Sequence, residues 1–107
     1  EVKNERVTLP FVPAGYNHTW QTFHLLLNSG IDQQDTINFF KTKGVGTNYG
    51  AQCIPAQKYY KEKYRLNSAE HFPNAYTAYT KGVAVPLYEK LNKEQIQYIS
   101  KIINTIC

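Results

Sequence analysis

Between Trp20 and Leu27 apolar and polar positions alternate. Trp20, Thr22, His24 and Leu26 fall on one face, and Gln21, Phe23, Leu25 and Leu27 on the other. Both faces turn apolar toward the end, which predicts a central strand covered on both sides. Asn28-Ser29-Gly30 reads as a turn. The period then lengthens. Asp32 is an N-cap candidate, and Asp35 adds negative charge to a first helical turn. Ile37 and Phe40 share a face flanked by Phe39, and Lys41 and Lys43 suit a helix C-terminus. This spacing predicts a helix over Gln33–Lys43.

The strongest helical pattern is at the end of the chain. Asn92 and Gln95 have the spacing of a capping box, and Leu91 and Ile96 that of a hydrophobic staple. Ile96, Ile99, Ile103 and Ile106 form an expected buried stripe, widened by Ile102. Pro73 fits the first position of another helix that runs to Lys81 and stops at Gly82. Gln57–Tyr64 reads as helical and Leu66–Phe72 as irregular. Val83-Ala84-Val85 is a short strand candidate ended by Pro86. Val7-Thr8-Leu9 is an edge-strand candidate ended by Pro10, and Phe11–Asn17 is a loop. Glu1–Arg6 is charged and reads as frayed or as part of an upstream helix. There is no internal repeat and no low-complexity tract.

One stretch breaks these periods, Gly44 to Tyr60. Gly44 stands where the preceding helix would stop in a left-handed C-cap. Val45–Tyr49 can run extended, with Asn48 opposite Val45, Thr47 and Tyr49. Gly50 allows a bend or a close approach, and Pro55 excludes a regular central strand. The stretch reads either as a loop displaying Asn48, Tyr49, Gln52 and Gln57 or as a plain surface connection.

Length and composition narrow the picture. The 107 residues suit one domain, and an apolar share of 42% suits a modest core. Nine tyrosines favour clefts and interfaces, where a ring packs and its hydroxyl stays wet. The net charge of +4 is spread over several segments and argues weakly for nucleic acid. Cys53 and Cys107 lie far apart without a CxxC motif, which favours neither a disulfide framework nor zinc and points to the cytoplasm. No apolar run approaches a membrane span and no signal peptide is evident, so no membrane partner is expected. The chain opens on Glu1 without any methionine, as a segment of a longer protein would. His18, His24 and His71 lack metal-ligand spacing, and His24 reads as a hydrogen-bonded core histidine. Asn17-His18-Thr19 matches the glycosylation sequon, read as chance in a cytoplasmic chain. A catalytic Cys53–His pair stays open but nothing singles it out. Lys58–Tyr64 could touch single-stranded nucleic acid, yet a solvated amphipathic helix explains it as well.

Taken in order, several segments resemble the C-terminal domain of DegT/DnrJ/StrS-type sugar aminotransferases. They are Pro13–Leu27, the Gly-Val-Gly-Thr-Asn-Tyr-Gly-Ala-Gln run at Gly44–Gln52, Lys58–Tyr64, Phe72–Ala75, Val85–Tyr88 and the capped final helix. The resemblance spans about Val7 to Cys107. It implies the small domain of a fold-type I pyridoxal phosphate enzyme that aminates nucleotide-linked keto sugars in cell-surface polysaccharide biosynthesis. It further implies a missing N-terminal large domain that carries the cofactor lysine, and a homodimeric parent. The chain alone would then be inactive, bind no cofactor and supply a wall of the cleft. Family members commonly carry a histidine in the loop matching Gln52–Gln57, where Pro55 stands nearest here. Their usual arginine and serine are replaced by Thr80-Lys81 and Val83-Ala84. No catalytic residue is therefore carried over. Asn48, Tyr49 and Gln52 are carried over as substrate-side contacts.

The expected fold is α+β. A small, mostly antiparallel or mixed sheet, built on Trp20–Leu27 with Val45–Tyr49 and Val83–Val85, should have helices mainly on one face. The alternative function is a stand-alone carbohydrate- or peptide-binding module without catalysis. A basic nucleic-acid binder is more remote, and no nucleic-acid partner is expected.

Overall fold

In a computed structural model, all 107 residues are described. Three strands, β1 (Val7–Thr8), β2 (Phe23–Leu27) and β3 (Gly82–Val85), form an antiparallel sheet in the order β1-β2-β3. The helices are α1 (Gln33–Thr42), α2 (Lys58–Tyr64), α3 (Ser68–His71), α4 (Pro73–Lys81) and α5 (Lys93–Asn104), with a 3-10 turn at Ile54–Ala56. The protein is thus α+β with an antiparallel sheet.

Register decides which face is core. Val7 pairs with Leu27, Leu25 with Val83 and Phe23 with Val85, and directly paired residues share a face. This face joins Ile31, Phe40 and Val45, and Ile99, Ile102, Ile103 and Ile106, in one buried cluster. Leu25, Phe40 and Val83 are wholly buried, each stabilising by roughly 1.5–3 kcal/mol. The other face carries His24 opposite Ala84 and Leu26 opposite Gly82.

The helix ends follow their local chemistry. The Asp32 carboxylate accepts the Asp35 N–H at 2.8 Å. At the other end of α1, Gly44 takes φ +72°. Its N–H reaches the Lys41 carbonyl, and the Val45 N–H reaches that of Phe40, each at 3.0 Å. These two bonds make a Schellman motif, with Val45 and Phe40 both buried beneath it. In α5 the Asn92 side chain accepts the Gln95 N–H, and the Gln95 side chain accepts that of Asn92. The expected capping box is present.

Several boundaries differ from the sequence reading. The strand expected from Trp20 begins at Phe23, because Trp20 sits at φ 50°, outside strand geometry. Its N–H donates to His18 Nδ1 at 2.8 Å, and its ring lies 4.2 Å from His18 and 5.2 Å from Phe23. A local aromatic stack thus overrides the alternation. The extended run expected over Val45–Tyr49 pairs with the sheet only at Asn48, in a single antiparallel bridge to Ala84. Leu66–Phe72 is not wholly irregular, since it contains α3. Ile96 is 51% exposed instead of buried, and Ile102 takes its place in the stripe.

Glu1–Arg6 is neither frayed nor helical. Asn4 Nδ2 donates to the Ile103 and Ile106 carbonyls at 2.8 and 3.0 Å, and Asn104 Oδ1 accepts the Lys3 N–H at 2.7 Å. The amino-terminal segment is therefore tied to the end of α5: Asn4 adds a second donor to the Ile103 carbonyl, which already accepts the Ile106 N–H, and meets the Ile106 carbonyl just past the helix.

Candidate functional site

The loop after α1 is held against the sheet through His24. Its Nε2 lies 3.1 Å from the Tyr49 carbonyl, reaching across the small side chain of Ala84. Two glycines make room for the ring. A Cβ on Gly82 would overlap His24 Nε2 and the Ala78 carbonyl. One on Gly50, at φ +67°, would come within 2.8 Å of His24 Cδ2 and of Ala84 Cβ. The sequence marked His24 as a hydrogen-bonded core histidine; it is hydrogen-bonded, but half-buried on the sheet face away from the core cluster, and neither its partner nor its glycine clasp is visible in local pattern. Behind it, the Gln33 amide donates to the Tyr79 and Gly82 carbonyls at 2.8 and 2.6 Å, fixing the end of α4 to the start of α1.

On this support the loop displays a row of polar side chains. Gln52 Nε2 donates to the Tyr49 hydroxyl at 2.7 Å, and Gln57 Nε2 donates to Gln52 Oε1 at 3.1 Å. Tyr49 and Gln52 are both exposed, as a displayed pair should be, but each is partly satisfied by the other. The Tyr49 hydroxyl proton and the second N–H of each glutamine remain available as donors. The Tyr49 ring meets the edge of Tyr79 at 5.8 Å and 86°. Tyr79 was not marked in the sequence, where it is simply one position of a helical pattern.

Asn48 does not join this row. Its backbone pairs with Ala84 in both directions, and its Oδ1 accepts the Gly50 N–H at 2.6 Å. Its side chain lines a separate cavity of about 270 Å³ with Gln21 and Thr22. The structure thus brings Tyr49, Gln52 and Gln57 together and sets Asn48 apart, as alternation along an extended segment requires.

The remaining candidates are settled by burial. Cys53 is wholly buried with a free thiol, so it presents no accessible nucleophile. Cys107 is exposed and also free, so the two form no disulfide. No three His, Cys, Asp or Glu side chains converge on a metal position. No helix is long and apolar enough to cross a membrane. Tyr59, Tyr60 and Tyr64 of α2 are 60, 40 and 56% exposed, marking an aromatic surface beside the loop.

Comparison with known proteins places the fold. The fold matches an enzyme described as a sugar aminotransferase, Spr1654 of Streptococcus pneumoniae. With its pyridoxal phosphate form the TM-score is 0.79 at 17% identity, over 94% of this chain and 26% of the other. With its PMP form the values are 0.65 and 19%, over 79% and 21%. The aminotransferase TlmJ of Streptoalloteichus hindustanus matches with a TM-score of 0.75 at 14% identity, over 94% and 26%. The chain therefore spans about a quarter of the length of these enzymes. No curated protein matches it. The sequence profile of the DegT/DnrJ/EryC1/StrS aminotransferases matches residues 2–104, nearly the whole chain, and the protein belongs to that family.

Proposed function

We propose that this chain is the C-terminal small domain of a pyridoxal phosphate-dependent aminotransferase acting on a nucleotide-linked keto sugar. Its parent would be a cytoplasmic homodimer in amino-sugar and polysaccharide biosynthesis. The observation that carries this reading is the exposed Tyr49–Gln52–Gln57 row, held by His24 on a fold shared with sugar aminotransferases. A row of hydroxyl and amide donors suits the hydroxyl and carbonyl oxygens of a sugar, and the Tyr49 face suits its apolar ring edge. Tyr49 and Gln52 are the substrate-side contacts. Asn48 would contribute from its own cavity by holding the Gly50 turn.

Pyridoxal phosphate supplies the electron sink for carbanion chemistry when bound, and protein groups orient it. Nothing around the lysines of this chain is built to hold that group. All but Lys81 are exposed, and the half-buried Lys81 donates its ammonium to the Ile31 carbonyl at 3.1 Å. The cofactor and its lysine are therefore assigned to a large domain N-terminal to this one. The part left to this chain is to bind and orient the sugar.

The test is substitution in the full-length enzyme. Tyr49→Ala and Gln52→Ala should each raise KM for the nucleotide-linked sugar while the cofactor absorbance stays that of the parent. Loss of cofactor with sugar affinity unchanged would place the loop on the wrong side of the active site. Unchanged turnover in both variants would favour a domain that binds some other ligand.

A further inference from the structure

Tyr49 stands on an exposed loop, and contacts from three residues limit its motion. His24 holds its carbonyl, Gln52 donates to its hydroxyl, and Tyr79 meets its ring at 5.8 Å and 86°. Each restrains a different part. The bond from His24 fixes the backbone and leaves χ1 free to turn. The bond from Gln52 joins two exposed side chains, where water competes for both groups and the net strength is small. Only the contact with Tyr79 ties the Tyr49 side chain to a regular element. Tyr79 lies in the last turn of α4 and is half-buried, whereas Tyr49 is 41% exposed. The Gln33 amide donates to the Tyr79 and Gly82 carbonyls, so this turn is fastened to the start of α1. A helix leaves tyrosine few χ1 rotamers, which keeps the Tyr79 ring directed. A perpendicular meeting is one of the two favoured arrangements of aromatic rings.

We propose that Tyr79 is a positioning residue for sugar binding: it holds the Tyr49 ring in the orientation that receives the sugar and does not touch the sugar itself. The role rests on reading the Tyr49 row as the sugar wall. A ring held before the sugar arrives has no rotamer freedom left to lose on binding, so the sugar is bound more tightly than by the same ring swinging free. In that reading the reacting groups belong to another domain. The gain therefore falls on binding and not on the chemical step, and its loss should raise KM and spare kcat.

The test is a double-mutant cycle in the full-length enzyme, with uridine diphosphate- and thymidine diphosphate-linked 4-keto-6-deoxyglucose as the probes. Tyr79→Ala should raise KM about two- to tenfold, the range set by one lost aromatic contact, and leave kcat within about twofold. Tyr79→Phe should restore the KM of the parent, because the ring is kept. In a Tyr49→Ala background Tyr79→Ala should add nothing, because no ring is left to position. A residue that merely supports the fold would raise KM in either background. Tyr79→Leu replaces the alanine variant if α4 loosens, since it fills space without an aromatic edge. Additive effects of the two alanines would overturn the proposal by making Tyr79 independent of Tyr49. A Tyr79→Phe enzyme as impaired as Tyr79→Ala would overturn it too, by making the Tyr79 hydroxyl a direct contact. So would an unchanged KM in Tyr79→Ala beside a raised KM in Tyr49→Ala, and that outcome leaves the sugar wall standing. An unchanged KM in Tyr49→Ala, or turnover of neither probe, removes the sugar wall and the positioning role with it.

Discussion

Gly82→Ala is the most demanding test of how the candidate site is supported. Gly82 has φ −80° and ψ 141°, which alanine adopts freely, so backbone strain plays no part. The cost is space. The new methyl would overlap His24 Nε2 and the Ala78 carbonyl, and the carbonyl belongs to α4 and cannot rotate away. Overpacking of this kind costs roughly 1–3 kcal/mol. Displacing the ring also breaks its hydrogen bond to Tyr49, worth about 0.5–1.5 kcal/mol. Restricting the unfolded chain returns about 0.4–1 kcal/mol. The net loss should be about 0.5–4 kcal/mol and centre near 2 kcal/mol, read as a lowered urea midpoint or, at that centre, as a fall in Tm of about 10–15 °C. Gly46→Ala is the control, because nothing lies within 4 Å of its added methyl. It should be neutral or slightly stabilising. Combining Gly82→Ala with His24→Ala should recover part of the loss, since one of the two obstructions is gone. Gly82→Ala within about 0.5 kcal/mol of the parent would refute the clasp.

The remaining stability predictions concern α5. Ile99→Ala, at a position 9% exposed in the core, should cost on the order of 2–5 kcal/mol in urea unfolding. Ile96→Ala, half exposed on the same helix, should cost about 1 kcal/mol or less. Equal losses at the two positions would mean that the helix is rotated from the orientation described.

What could be read from the chain was whatever is encoded within a few residues. The cap of α5 and the isoleucine spacing are short-range signals, and both appear in the structure. The Schellman end of α1 was legible because a left-handed C′ position favours glycine. Tyr49 and Gln52 were legible as a pair because a loop that turns at Gly50 brings residues three apart together. Failures arose where distant groups decide. Trp20 leaves strand geometry to stack with His18 and Phe23, and alternation cannot register that. Glu1–Arg6 looks like a loose charged end until α5 presents carbonyls for Asn4 to meet. The clasp of His24 by Gly50 and Gly82 joins three segments remote in sequence. Ile96 fitted the apolar stripe by spacing, but it faces a groove of about 320 Å³ with Leu87 and Tyr88, both also exposed.

The central claim is that this chain lends the substrate side of a cleft and not the group that holds the cofactor. Site-specific labelling tests it most directly. The 107-residue chain is incubated with pyridoxal phosphate and reduced with borohydride, and the modified lysines are mapped by peptide mass spectrometry. The expected result is slight, scattered labelling of exposed lysines with no single site approaching one equivalent. One lysine labelled stoichiometrically, with its own visible absorbance before reduction, would contradict the assignment of the reacting groups to another domain.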